Sequence, residues 1–354
     1  MKLNLNNYNK IIFDLDGVIA SELAYWQAAA LGAYDLLFDS EHYGIGGIDR
    51  EYCRRQYQHI YTTIMCGGRT VKAVKRLGIN TNWDLLYTVF CISKYLNPEL
   101  ESLDAAHFQS VCMFIENIEQ KAPDVYFTLG SLASHAMPNY EEKHFMRGND
   151  GLWQELLEVF DLWYDGCAEF EGIKVNDELL FADDEVKSTL EYLKSQNIVL
   201  GIGSGRPRDE IINPLKMHGI IDCFDLGLFA SFDEVCEAEQ ALKPELPLAK
   251  PDPFVFLKAA LGKEYSDADL HNGNFDKSKL KGTLIVGDAP SDLMSAKSAG
   301  FDFLGVLTGV EGDGMLSYFT QNHAEYILND IRELVPNFAN SESESDSDSD
   351  SDGE

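Results

Sequence analysis

Lys10-Ile11-Ile12-Phe13-Asp14-Leu15-Asp16-Gly17 is the stretch on which the fold turns. A short, apolar, β-branched run closed by Asp and Gly reads as a buried parallel strand with a loop at its carboxyl end. The pattern recurs downstream. Ile198 to Gly203 runs into Ser204-Gly205-Arg206-Pro207, and Thr283 to Val286 runs into Gly287-Asp288. Leu226 to Ala230, Phe303 to Leu307 and Ala324 to Leu328 extend the strand series. Helical segments separate the strands. Asp183 to Ser195 carries acids in its first turn and sets Val186, Leu190 and Leu193 on one face, while Ser291 to Ala299 stops at Gly300. Strands alternating with helices predict an α/β fold, a doubly wound, Rossmann-like parallel sheet.

Between Gly17 and about Phe181 the period changes. Leu23–Leu37, Tyr52–Ile64, Thr70–Leu77, Trp83–Ser93, Ala105–Ile118 and Leu152–Trp163 all read as helices, with no strand series among them. The expected organisation is a core over 1–19 and 182–335 and an inserted helical domain over 20–181. The polar segment Lys263–Gly282 reads as a surface loop. The stretch 340–354 ends in SESESDSDSDSDGE, six serines and seven acids with nothing apolar to bury, and is expected to be disordered.

Across 354 residues, 59 Asp and Glu face 28 Lys and Arg, a formal charge of −31. Such a charge repels phosphate backbones and anionic lipid, which argues against nucleic-acid or membrane partners. No apolar run is long enough to span a bilayer, and the polar MKLNLNNYNK reads as carrying no secretory signal. Seven scattered cysteines with no CxxC pair fit free thiols in a reducing cytoplasm. The eight histidines show no metal spacing. The sequence leaves the oligomeric state open.

Four motifs fall at the carboxyl ends of expected parallel strands, where open α/β sheets bind ligands. Asp14 and Asp16 close the first strand, two acids near enough to favour a bound cation or one raised pKa. Asp288 and Asp292 follow the strongest strand at a spacing that stacks carboxylates on one helical face. With Asp14 they make a hard-oxygen site suited to Mg²⁺. Ser204 lies between Gly203 and Gly205, whose bare backbone lets amides approach an anion. Lys250, before Pro251-Asp252-Pro253, is expected to be extended just ahead of a helix start; Lys243 also precedes a proline and competes with it. A carboxylate nucleophile, a neighbouring acid, a hydroxyl, a lysine and metal acids make up a phosphoryl-transfer set.

Asp14-Leu15-Asp16-Gly17-Val18, Ser204-Gly205-Arg206-Pro207, Lys250-Pro251-Asp252-Pro253 and Gly287-Asp288-Ala289-Pro290-Ser291-Asp292 resemble motifs I to IV of the haloacid dehalogenase-like (HAD) superfamily. In position and helicity, the insertion after motif I is similar to the cap of its C1 (subfamily I) branch, which includes phosphoglycolate phosphatase and β-phosphoglucomutase. The resemblance implies that Asp14 is the nucleophile, taking the phosphoryl group as an aspartyl-phosphate, and that Asp16 is general acid and then base. It implies Mg²⁺ held by Asp14, the Asp16 backbone carbonyl and Asp288. Asp292 would bind directly, through water, or by orienting Lys250. Ser204, Gly205 and Lys250 would hold the phosphoryl oxygens. Asp16 is absent from the founding dehalogenases, so its presence favours the phosphatase branch. The expected substrate is a small phosphorylated metabolite. A phosphomutase, or a non-catalytic binding protein that uses its cap and acidic tail, are the alternatives.

Within the cap, Gly67-Gly68-Arg69-Thr70-Val71-Lys72-Ala73-Val74-Lys75-Arg76 is basic in an otherwise acidic chain. Arg69 and Lys72 could meet a carboxylate or second phosphate of the substrate. A solvated basic face paired with the acidic body is the other reading, and Arg54-Arg55 share it. Trp83, Trp153, Trp163, Cys91 and Cys112 read as core.

Overall fold

The computed structural model describes residues 3–79 and 81–336; the acidic tail at 340–354 lies outside them. The chain divides into two compact units, Met1–Ser21 with Glu178–Glu354, and Glu22–Asp177. In the first unit β1 (Lys10–Phe13), β2 (Val199–Gly203), β3 (Phe229–Ala230), β4 (Thr283–Gly287), β5 (Asp302–Val306) and β6 (Tyr326–Leu328) form one parallel sheet. Its order is β3-β2-β1-β4-β5-β6, so the winding reverses where β1 and β4 lie side by side.

The continuous apolar run of β1 follows from burial on both faces. Ile11 and Phe13 pack in one cluster with Val186, Leu190 and Leu193, whereas Ile12 packs in another with Phe254, Phe256 and Leu293. All three strand residues are fully buried. At about 1.5–3 kcal/mol for each such side chain, this burial anchors the strand that carries the first motif. Phe13 lies level with Ile202 of β2 and Val286 of β4, which brings three strand ends together.

The second unit is helical: Leu23–Phe38, Arg50–Arg55, Tyr57–Ile64, Arg69–Arg76, Asn82–Leu96, Ala105–Glu116, Asp124–Ala136 and Leu152–Asp165. Cys91, Cys112 and Trp163 are fully buried there. Trp163 donates from Nε1 to Asp35 Oδ2 at 2.9 Å.

Several local expectations are corrected. The helix read over 52–64 is broken at Gln56. Helix Asp124–Ala136 was not visible in the sequence because Gly130 dilutes its pattern. That glycine serves packing: a Cβ there would stand 2.8 Å from Met146 Cε and 3.0 Å from the Tyr87 hydroxyl. Pro214 likewise masked helix Arg208–Met217. The segment 263–282 is not merely a surface loop. It holds helix Asp267–His271 and a 3₁₀ turn at Lys277–Leu280, with Leu270 and Leu280 buried. The strand read over 226–230 shortens to two residues after a 3₁₀ turn at Leu226–Leu228.

Lys94 is 1% exposed, and its Nζ donates to the carbonyls of Tyr43 (2.6 Å) and Pro98 (3.3 Å). Burial draws its pKa down to about 8 from 10.5. Between those values the unfolded chain binds the extra proton, so this lysine makes stability rise with pH. Relative to Lys94→Met, the wild type should therefore gain up to about 3 kcal/mol across that window. All four tryptophans (Trp26, Trp83, Trp153 and Trp163) lie in this unit, so urea melts followed by their fluorescence report it. Parallel pH curves for the two proteins would refute the assignment.

Candidate active site

The Asp14 N–H donates to the Val286 carbonyl of β4 at 2.8 Å, which ties the first carboxylate to the sheet ladder. Asp14 Oδ1 accepts from the Leu15 N–H at 2.8 Å and from Lys250 Nζ at 2.8 Å. The same ammonium lies 2.9 Å from Asp292 Oδ1 and 4.6 Å from the Phe256 ring centroid. Carboxyl oxygens of Asp14, Asp288 and Asp292 lie within 4.8 Å of one another. Three carboxylates against one ammonium leave a negative pocket of oxygen donors at the winding reversal. Such a set fits a hard divalent cation.

Asp288 and Asp292 do not share a helix. The helix begins at Pro290, so Asp288 sits on the loop two residues ahead of it and only Asp292 is helical. The two do not stack on one helical face; the tight turn after β4 brings them together. Asp292 Oδ2 accepts from the Ala289 N–H at 3.1 Å, which fixes this 1% exposed side chain in the first turn. Lys250 precedes the helix Phe254–Leu261, and its bond to Pro251 is cis. The competing Lys243 is an exposed helix cap in the left-handed region.

Burial pushes the Asp14 carboxyl up to about 7; Lys250 pulls against this, while Asp292 and Asp16 add to it. Burial draws the Lys250 ammonium down, but Asp14 and Asp292 outweigh it and hold it above its ordinary range.

Asp16 behaves differently from the trio. Arg206 Nε donates to Oδ1 and Oδ2 of Asp16 at 2.9 and 3.1 Å, and Nη2 donates to Oδ1 at 2.6 Å. Ser204 is fully buried at the end of β2, its N–H on the Ala230 carbonyl and its Oγ accepting from the Arg206 N–H at 3.2 Å. Gly205 is exposed, with open space where a Cβ would project.

Sequence reasoning missed Arg206, although it stands inside the second motif, because arginines are usually solvated. It also missed Thr308 and Gly309, which follow β5; the carboxyl end of a parallel strand was the signal available. Thr308 Oγ1 donates to the Gly17 carbonyl at 2.5 Å. A Cβ on Gly309 would fall 1.8 Å from Asp288 Oδ2, and one on Gly17 (φ 72°) 2.4 Å from it. These two bare positions make room for the Asp288 carboxylate.

In the helical unit, Arg69 forms a fork with Glu116, Nε to Oε1 at 2.7 Å and Nη2 to Oε2 at 2.5 Å. Lys72 is exposed on the same helix, and Lys75 pairs with Glu22 at 2.7 Å. Arg55 pairs with Glu51, and Arg54 with Glu171. The basic run is thus largely matched by acids of its own unit.

A family model for haloacid dehalogenase-like hydrolase matches residues 8–300. The chain belongs to the HAD-like hydrolase family. Among curated relatives of this HAD-like chain, the pyrophosphatase PpaX of Oceanobacillus iheyensis is 27% identical over 164 residues, 46% of this chain and 63% of that protein. The PpaX of Bacillus velezensis is 28% identical over 160 residues, 45% of this chain and 61% of that protein. The chain therefore spans less than two thirds of the length of each. An X-ray structure of a Northeast Structural Genomics Consortium target superposes with a TM-score of 0.75 at 28% identity. That match covers 94% of this chain and 98% of the other. HAD hydrolases generally use a divalent metal, and among the described residues the Asp14–Asp288–Asp292 trio is an acid group that could hold one. No helix among the described residues is long and apolar enough to cross a membrane.

Gly309→Ala should lower divalent-cation affinity by roughly 10–100-fold without changing any charge, because the new methyl must displace Asp288. Calorimetric titration of the folded variant checks this. Affinity equal to wild type would show that the loop yields instead.

Proposed function

We propose that the chain is a Mg²⁺-dependent phosphatase that hydrolyses a small phosphorylated metabolite through an aspartyl-phosphate on Asp14. The observation that carries this reading is Lys250 Nζ standing 2.8 Å from Asp14 and 2.9 Å from Asp292, beside a third carboxylate. A nucleophilic carboxylate beside a fixed cation suits attack on a phosphate, whose own charge would otherwise repel it.

Two donors on Oδ1, the Leu15 N–H and Lys250 Nζ, fix the orientation of the Asp14 carboxylate. An Asp14 oxygen bonds to phosphorus as the bond to the leaving oxygen breaks. Water then attacks phosphorus and Asp14 departs as carboxylate. Lys250 offsets the charge of the phosphoryl oxygens, and the Ser204–Gly205 turn offers further donors. Asp16 takes part in proton transfer to the leaving oxygen and from water. Asp14, Asp288 and Asp292 would hold Mg²⁺, which supplies charge neutralisation at the phosphoryl group. The Arg69–Lys72 contact to substrate is not carried into this reading, because Glu116 already fills the Arg69 fork. Seven free cysteines and a strongly acidic surface suit a cytoplasmic setting.

The test is phosphate release from p-nitrophenyl phosphate, sugar and organic-acid phosphates, and pyrophosphate, with and without Mg²⁺. Pyrophosphate joins the panel because the curated relatives are named for it. No metal-dependent release on any member, from folded protein, would overturn the reading.

A further inference from the structure

We propose that Arg206 is the positioning residue of Asp16, a buried guanidinium that fixes the carboxylate for its part in the reaction; this rests on the phosphatase reading above. Arg206 is 3% exposed and sits in the turn after β2. Its Nε reaches both oxygens of Asp16 (2.9 and 3.1 Å) and its Nη2 reaches Oδ1 (2.6 Å). A planar fork that holds both oxygens fixes the rotation of the carboxylate as well as its place, which a lysine could not do.

The guanidinium is itself braced. Its Nη1 donates to the Glu210 carbonyl and its Nη2 to the Ser21 carbonyl, each at 3.3 Å. The Arg206 N–H donates to Ser204 Oγ at 3.2 Å, and the Arg206 carbonyl accepts from the Phe232 N–H at 2.9 Å. Backbone at four places thus determines where the fork points. Asp16 needs such support because it has left the sheet: β1 ends at Phe13 and Gly17 turns the chain at φ 72°. Asp14 gets its orientation from the Leu15 N–H and Lys250; Asp16 gets its own from Arg206.

Misplacing a reacting group by about 1 Å can cost on the order of 10²-fold in rate. Arg206→Gln should therefore lower kcat by roughly 10–100-fold with KM little changed, since its guanidinium lies on Asp16 and on the Glu210 and Ser21 carbonyls. Arg206→Lys, which keeps the charge and loses the fork, should fall between.

The decisive measurement is a double-mutant cycle with Asp16→Asn, read as inorganic phosphate release from a sugar phosphate in single turnover, since an alkoxide leaving group needs the proton that Asp16 handles. The Arg206→Gln factor should shrink to within about threefold when Asp16 is already replaced, because the two substitutions remove one interaction. Equal factors in both backgrounds would overturn the proposal, as would wild-type kcat in Arg206→Gln. If Arg206→Gln does not fold, the Arg206→Lys cycle decides by the same criterion. If Asp16→Asn shows no release, the split between kcat and KM decides: lower kcat at constant KM and melting temperature supports positioning, and raised KM with lowered melting overturns it. Wild-type protein inactive on every phosphate would instead sink the phosphatase reading itself, a distinct result.

Discussion

Asp14→Asn is expected to abolish turnover, with a loss of at least about 10⁴-fold in kcat, while the protein stays folded. An amide oxygen is too weak a nucleophile to form the phosphoryl ester, and the adjacent Asp292 is already held by Lys250 and the Ala289 N–H. The fold should tolerate the change because Asn keeps the shape, and an oxygen can still accept from the Leu15 N–H. Lys250 keeps Asp292 as its partner at 2.9 Å. Removing one of several crowded carboxylates also relieves the repulsion that helps push Asp14 up to about 7. Phosphate release and thermal melting on the same preparation check both halves. Activity above about 1% of wild type would exclude Asp14 as the nucleophile.

Much of this architecture is legible in the sequence, for a physical reason. A parallel strand buried on both faces must be apolar throughout, so Ile11-Ile12-Phe13 and Leu284-Ile285-Val286 stand out in the sequence, and the loops that follow them are where α/β sheets place polar chemistry. The four motifs inherit that legibility. What could not be read depends on three-dimensional neighbours. Glu116 pairs with Arg69 across 47 positions, and Arg206 reaches Asp16 across 190; neither pairing leaves a periodic trace. Gly309 matters only because the loop after β5 comes against Asp288, which spacing cannot show. Helix Asp124–Ala136 stayed hidden because the glycine that permits its packing on Met146 is also a poor helix former.

Lys250→Met should cost about 3–5 kcal/mol of stability well above pH 7 without divalent cation. The lysine side chain is 12% exposed and is the ammonium between Asp14 and Asp292, themselves 13% and 1% exposed. Met fills similar volume and keeps contact with Phe256, so the loss isolates the charge. Without Lys250, the force drawing the Asp14 carboxyl down is gone, and burial with Asp292 and Asp16 raises it further above its ordinary 3.8. A carboxyl whose folded pKa is raised holds its proton after the unfolded chain has lost it, so stability falls as pH climbs from the unfolded value through the folded one. The deficit of the variant should therefore be small near pH 4 and grow as pH passes about 7. Mg²⁺ should reverse part of it, because a cation bound to Asp14, Asp288 and Asp292 replaces the missing positive charge. Activity should not return in step, since the metal cannot stand where Nζ offsets the phosphoryl oxygens; a residual loss of roughly 10²–10³ in kcat is expected at saturating Mg²⁺. Urea melts in chelator and in Mg²⁺, at pH values on either side of 7, separate the two effects. A deficit that ignores both pH and Mg²⁺ would mean that Lys250 acts through packing alone, and the charge balance assigned to this site would be wrong.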